Sequence, residues 1–262
     1  MKVKATENTE NTEKIISTKI DTVINQWFQE TMDKINNEIK TNTNTLEDIL
    51  CPSILPLSFK YCNAALTLLN NNFKLPAMAL IQILAEITLR LCWCLYGDNP
   101  QKESTDVRAQ RWLKQSCKEQ QKFLKKLLPS FNANKKKINE QISYFDKKIA
   151  EIPYESAGNL YGSLDELNVN LKNDLYPLLY STFNTAIHPD LLLLSNLIKK
   201  DKNKYTFSGD FDDIDSNNIK FYVMTCAFWI VSLVRISYKW DYNDIKAQYL
   251  EIKKIHENST KE

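Results

Sequence analysis

Glycine is nearly absent from this chain, with four residues in 262. A β-sandwich or barrel of this length reverses direction many times, and its tight turns call for glycine. Helices joined by short polar loops need far less of it, so the expected fold class is all-α. Hydrophobic residues make up 43% of the chain and charged residues 25%. That balance is ordinary for a globular protein with a sizeable core.

Apolar periodicity supports helices along most of the length. Residues 1–12 hold Thr, Asn, Glu and Lys without an apolar period and are expected to be a disordered start. From about Thr12 to Lys40, Ile15, Ile16, Ile20, Val23, Ile24, Trp27, Phe28, Met32 and Ile35 recur at three- and four-residue spacing, as in an amphipathic helix. Pro52 and Pro56 predict a short or irregular stretch before "LSFKYCNAALTLLNN" resumes the period. Pro76 fits the first turn of the following helix, which should pair with its predecessor as an antiparallel hairpin.

Ser104 or Thr105 can cap a helix to about Leu128, and a second polar helix should follow over about 132–152. The two read as a protruding lysine-rich helical hairpin, an insertion over 103–152 in a single helical domain spanning 13–257. Asp215 or Ser216 can cap a last core helix to about residue 238, and a polar helix over 242–256 closes the domain.

The formal net charge of +2 gives no global signature of a nucleic-acid binder. Six cysteines without CxxC pairing, mostly in apolar stretches, suit a reducing cytoplasmic setting, and the N-terminus has no apolar signal core. The uncharged run "FYVMTCAFWIVSLV" at 221–234 is shorter than the roughly 20 residues needed to span a bilayer, so a buried core helix without membrane insertion is expected. Arg235, which closes it, is expected to snorkel to solvent, with a place in a polar pocket as the alternative.

The candidate chemistry begins in "ALIQILAEITLRLCWCLY" at 79–96, where Gln82, Glu86 and Arg90 fall on one helical face amid apolar residues. The spacing suits an intrahelical Glu86–Arg90 ion pair at the edge of the core. It also suits a pocket completed by "YSTFNTAIHP", which sets Ser181, Asn184 and His188 along one face. There His188 could act as general acid or base, Arg90 could stabilise a phosphate, and Glu86 could orient either group.

A second candidate is basic. Lys114, Lys118, Lys122, Lys125, Lys126, Lys135, Lys136, Lys137, Lys147 and Lys148 stand against Glu119, Glu140 and Asp146 over the same span. Such a surface attracts phosphate backbones, although lysine faces of helices are commonly just solvated. No phosphate-cradling glycine loop, GxSxG turn or zinc-ligand spacing occurs, so no cofactor and no metal are expected.

The segments "ALTLLNNNFKLPAMALIQILAEITLRLCWCLYGD" and "YPLLYSTFNTAIHPD" resemble an uncharacterised bacterial helical family, the domain of unknown function numbered five-six-seven-seven. Its motif positions correspond to Glu86, Arg90, Tyr180 or Ser181, and His188. The pattern is also distantly similar to the HEPN superfamily, helical proteins of toxin–antitoxin and antiphage systems. Their ribonuclease members carry Arg, then Asn or another polar residue, then three residues and His. Here "FNTAIH" supplies Asn184 and His188, but Phe183 stands at the arginine position.

That resemblance implies a HEPN-like bundle acting in phage defence or as a toxin. It implies metal-independent RNA cleavage by His188, Arg90, Glu86 and Asn184, with RNA also held by Lys122, Lys125, Lys126, Lys135, Lys136 and Lys137. A homodimer is implied, as is a protein partner from the same kind of system. The alternative is a non-catalytic ligand-binding or interaction module in which the Glu/Arg/His network only fixes helix packing.

Overall fold

A computed structural model describes residues 2–38, 46–96, 103–130, 134–158, 198–201, 204–207 and 215–259. The helices in these segments are α1 (Lys2–Glu38), α2 (Leu46–Asn70), α3 (Lys74–Tyr96), α4 (Thr105–Leu127), α5 (Lys135–Glu151), α6 (Ser216–Ser237) and α7 (Asn243–Ser259). The fold is an all-α helical bundle with one small addition. Strands β1 (Ile198–Asp201) and β2 (Lys204–Phe207) pair antiparallel, Ile198 opposite Phe207 and Asp201 opposite Lys204, an element that helical periodicity does not reveal.

The chain divides into two compact units, Met1–Asn42 with Cys51–Leu91 and Asn173–Glu262, and Thr43–Leu50 with Cys92–Lys172. In the first, α1 packs on α6 and α7, and α6 packs on α7. The apolar ladder read from the sequence supplies the buried face of α1: Ile20, Val23, Ile24, Trp27, Phe28 and Ile35. Burying each such side chain stabilises by about 1.5–3 kcal/mol. Trp27 meets Phe228 edge-on, and its indole N–H donates to Gln248 on α7. One residue thus ties three helices together.

Three expectations need correction. The backbone of α1 is helical from Lys2, where residues 1–12 read as disordered. Extending an existing helix forms one hydrogen bond per residue fixed, so this segment needs no apolar face of its own. Helix α2 runs through Pro52 and Pro56 instead of starting after them. Proline frees the carbonyl four residues before it, and Ser53, Pro56 and Leu57 are exposed while Cys51, Ile54, Leu55 and Ser58 are buried. The disrupted face is therefore the wet one.

The third concerns α6. The 14-residue run lies within a 22-residue helix, and by length and composition alone Ile49–Asn70, Lys74–Tyr96 and Ser216–Ser237 could each cross a bilayer. Length therefore does not exclude a span. Burial within the protein covers 67% of the apolar window of α3 and 72% of that of α6.

Local chemistry ends the helices where polar residues cluster. At the end of α2, Asn72 takes the left-handed conformation (φ 62°), Phe73 N–H donates to Leu68 O and Asn72 N–H to Leu69 O. This is a Schellman motif with asparagine in the place glycine usually takes. Ser104 caps α4 by accepting from Val107 N–H at 3.3 Å, and Asp215 caps α6 by accepting from Asn217 N–H at 2.9 Å.

In the second unit α4 packs on α5. Buried Arg108 donates from Nε to Cys94 O at 2.8 Å and also to Glu103 O. Arg111 pairs with Glu103 at 2.5 Å and lies over the Trp93 ring at 5.3 Å. Lys114 reaches Ile152 O and Tyr154 O at 2.7 and 2.8 Å, and Lys118 reaches Ser156 at 2.9 Å. These cations close off backbone and hydroxyl acceptors after α5.

Candidate functional site

The polar stripe of α3 does not stay together. Gln82 and Arg90 are 2% and 3% exposed, whereas Glu86, one turn from each, is exposed, and no ion pair joins it to Arg90. The expected intrahelical pair is therefore not formed. A carboxylate keeps its hydration by facing water, while a long arginine on the neighbouring position can be enclosed by surrounding side chains. The Gln82 Oε1 atom is buried and accepts no hydrogen bond from the described residues. Thr88, on the same helix, satisfies its hydroxyl by donating to Leu84 O at 2.8 Å.

The other half of the expected pocket, Tyr180, Ser181, Asn184 and His188, lies outside the described residues. The chain's second histidine, His256, stacks on Phe221 with centroids 4.5 Å apart. Burial pushes its pKa below the ordinary histidine value, while the carboxylates of Asp215 and Glu257 pull the other way. It serves the α6–α7 packing.

Two cations outside the α3 stripe organise the first unit. Arg235 does not snorkel. Its Nε donates to Thr31 at 2.9 Å, one terminal nitrogen grips both Asp244 oxygens at 3.1 and 3.0 Å, and the other reaches Glu30 at 3.3 Å. It joins α6 to α1 and α7. Lys220, 3% exposed, donates to Ser17 and Asn70 and has Asp21 at 3.7 Å, joining α6 to α1 and α2. The sequence signal was a lone cation beside an apolar run; Asp241 and Asp244 lie within 9 residues of Arg235, but the partners on α1 and α2 are 150 to 205 residues away.

The lysine series sorts into two groups. Lys114 and Lys118 are used internally, and Lys147 and Lys148 have Glu151 within 4.0 and 3.0 Å. Lys122, Lys125, Lys126, Lys135, Lys136 and Lys137 are all exposed and have no ion-pair partner among the described residues. Phe123, 55% exposed, sits among them on α4.

All six cysteines are buried thiols, with Cys92 and Cys226 pushed up to about 12 by burial, so none is a ready nucleophile. Among the described residues no group of three His, Cys, Asp or Glu is placed to hold a metal ion.

Residues 48–205, which include α3 and the Tyr180–His188 segment, match the profile of a family of unknown function, DUF5677. The chain belongs to DUF5677. The match spans more than half of the sequence but ends before α6 and α7, so the Arg235 and Lys220 clamps use helices beyond it. Comparison with curated proteins and with solved structures gives no match. DUF5677 membership bears out the resemblance at the level of the family, and it assigns no activity.

Proposed function

We propose that this DUF5677 chain is a non-catalytic, cytoplasmic binding module whose buried polar residues on α3 serve helix packing. The observation that carries this reading is the divergence of Glu86 and Arg90: one faces water, and the other is 3% exposed. A phosphate-binding arginine must reach its substrate, and a buried one can do so only after the bundle opens. The apolar helices α2, α3 and α6 are read as core elements, not as membrane spans. The test compares wild type, Arg90→Met and His188→Ala by urea unfolding and by incubation with total RNA. Intact RNA with wild type and a clear loss of stability in Arg90→Met are expected. Cleavage by wild type that disappears in an equally stable His188→Ala protein would defeat the proposal.

A second reading keeps the HEPN-like assignment, a phage-defence or toxin component that cleaves RNA without a metal and acts as a homodimer. His188 would be the acid–base group, Arg90 would face the phosphate, and Asn184 and Glu86 would orient them. The exposed lysines of the packed pair α4 and α5 would hold the RNA. What favours it is the set of six exposed lysines without ion-pair partners among the described residues. Each phosphate contact to single-stranded RNA adds about 0.7 to the slope of log K against log salt. Replacing Lys122, Lys125 and Lys126 by alanine should then lower that slope by about 2. An unchanged slope would remove this face from RNA binding.

A further inference from the structure

Helices α6 and α7 leave a cleft of about 310 Å³ between them. Its walls include Phe228, Trp229, Leu233 and Tyr249, with Ser232 and Lys246 in the same lining. Tyr249 stacks on Phe228 at 4.2 Å, which fixes one apolar wall. The volume falls at the lower end of the range for small-ligand sites.

Two polar groups in this lining are unmatched. Ser232 is 3% exposed, and its buried Oγ has no hydrogen-bond partner among the described residues. Other hydroxyls on the same helix settle locally: Thr225 donates to Phe221 O at 2.9 Å and Ser237 to Val234 O at 2.8 Å. Lys246 is exposed and has no ion pair among the described residues. A lysine ammonium is a donor only, and a serine hydroxyl can donate as well. Apolar walls with two unused donors call for a molecule that has an apolar body and an anionic acceptor.

We infer that the α6–α7 cleft binds a small amphipathic carboxylate, its apolar body against Phe228, Trp229, Leu233 and Tyr249 and its carboxylate taking hydrogen bonds from Lys246 and Ser232. The charge of Lys246 selects an acid over the corresponding alcohol, and the aromatic walls select an apolar body over a short polar one. The site lies on helices beyond the family-matched residues, so it stands or falls separately from the reading of α3.

Octanoate is the probe, with octan-1-ol and octylamine as neutral and cationic counterparts, titrated into the full chain by calorimetry and tryptophan fluorescence. Saturable one-to-one binding of octanoate is expected, at least about tenfold tighter than octanol, because a charge-assisted hydrogen bond is lost in the alcohol. Lys246→Met, at an exposed position, should remove that preference while leaving octanol binding unchanged. Ser232→Ala should weaken octanoate by about tenfold, the scale of one hydrogen bond to a charged acceptor. Trp229→Phe should abolish the fluorescence response but retain the calorimetric signal. No saturable octanoate binding, equal affinity for acid and alcohol, or a Lys246→Met protein that still prefers the acid would overturn the inference. So would a full fluorescence response without Trp229, because the ligand would then sit elsewhere.

Discussion

Removing the two carboxylates that face Arg235 should be far more damaging than either removal suggests. The side chains of Glu30 and Asp244 are 46% and 54% exposed, while that of Arg235 is 9% exposed. Each half-exposed pair alone is worth about 0.5–1 kcal/mol. Asp244 adds a few tenths by standing in the first turn of α7, where the helix dipole favours an anion. With one carboxylate gone, the guanidinium still has the other.

With both gone it is a buried cation facing only Thr31 and the Asp241 carbonyl, a situation that costs about 3–5 kcal/mol. Urea unfolding of wild type, Glu30→Ala, Asp244→Ala and the double variant closes a thermodynamic cycle. The expected coupling is about 2 kcal/mol beyond the sum of the single effects. Additivity within about 0.5 kcal/mol would refute the reasoning, since it would mean that water reaches the guanidinium as soon as a carboxylate leaves.

Three shorter predictions follow from other buried groups. Because burial lowers the His256 pKa, the unfolded chain binds more protons near its ordinary value. The histidine contribution is therefore fully present above about pH 6.5 and declines as pH falls through the folded-state pKa. His256→Phe should flatten that part of the urea midpoint profile, and an identical profile would refute it. At pH 8 a thiol with a pKa of about 12, as at Cys92 and Cys226, is ionised in roughly one molecule in ten thousand. Ellman's reagent should therefore label these thiols only on unfolding; rapid labelling of the native protein would contradict their burial. Gln82→Met removes an unpartnered buried amide oxygen and should leave stability unchanged or raise it by about 1 kcal/mol. A lower melting temperature would show that the amide is needed.

Much of the helical framework was legible because periodicity records which side of a helix meets the core. The ladder from Ile20 to Ile35 and the apolar runs of α3 and α6 are buried as their spacing implies. Caps at Ser104 and Asp215 were legible because they depend on neighbours two or three residues away. The prolines of α2 misled because the cost of an interior proline depends on which face it occupies, and that is known only once the partner helices are placed. The β1–β2 pairing escaped because two four-residue strands offer too little pattern to separate from a loop. The candidate site was the least legible part. Residues 82, 86 and 90 share a nominal stripe, yet the boundary of the core passes between them.

The sequence by itself determined the all-α class, the amphipathic faces, the membership carried by residues 48–205, and the places where polar loops end helices. Those properties come from composition and from interactions within a few turns. Only the tertiary structure decided that Arg235 is a three-helix clamp, that Lys220 is buried, that Glu86 and Arg90 part company, and that α6 and α7 leave a cleft between them. Each depends on which distant side chains exclude water from a charge, and local spacing does not encode that exclusion.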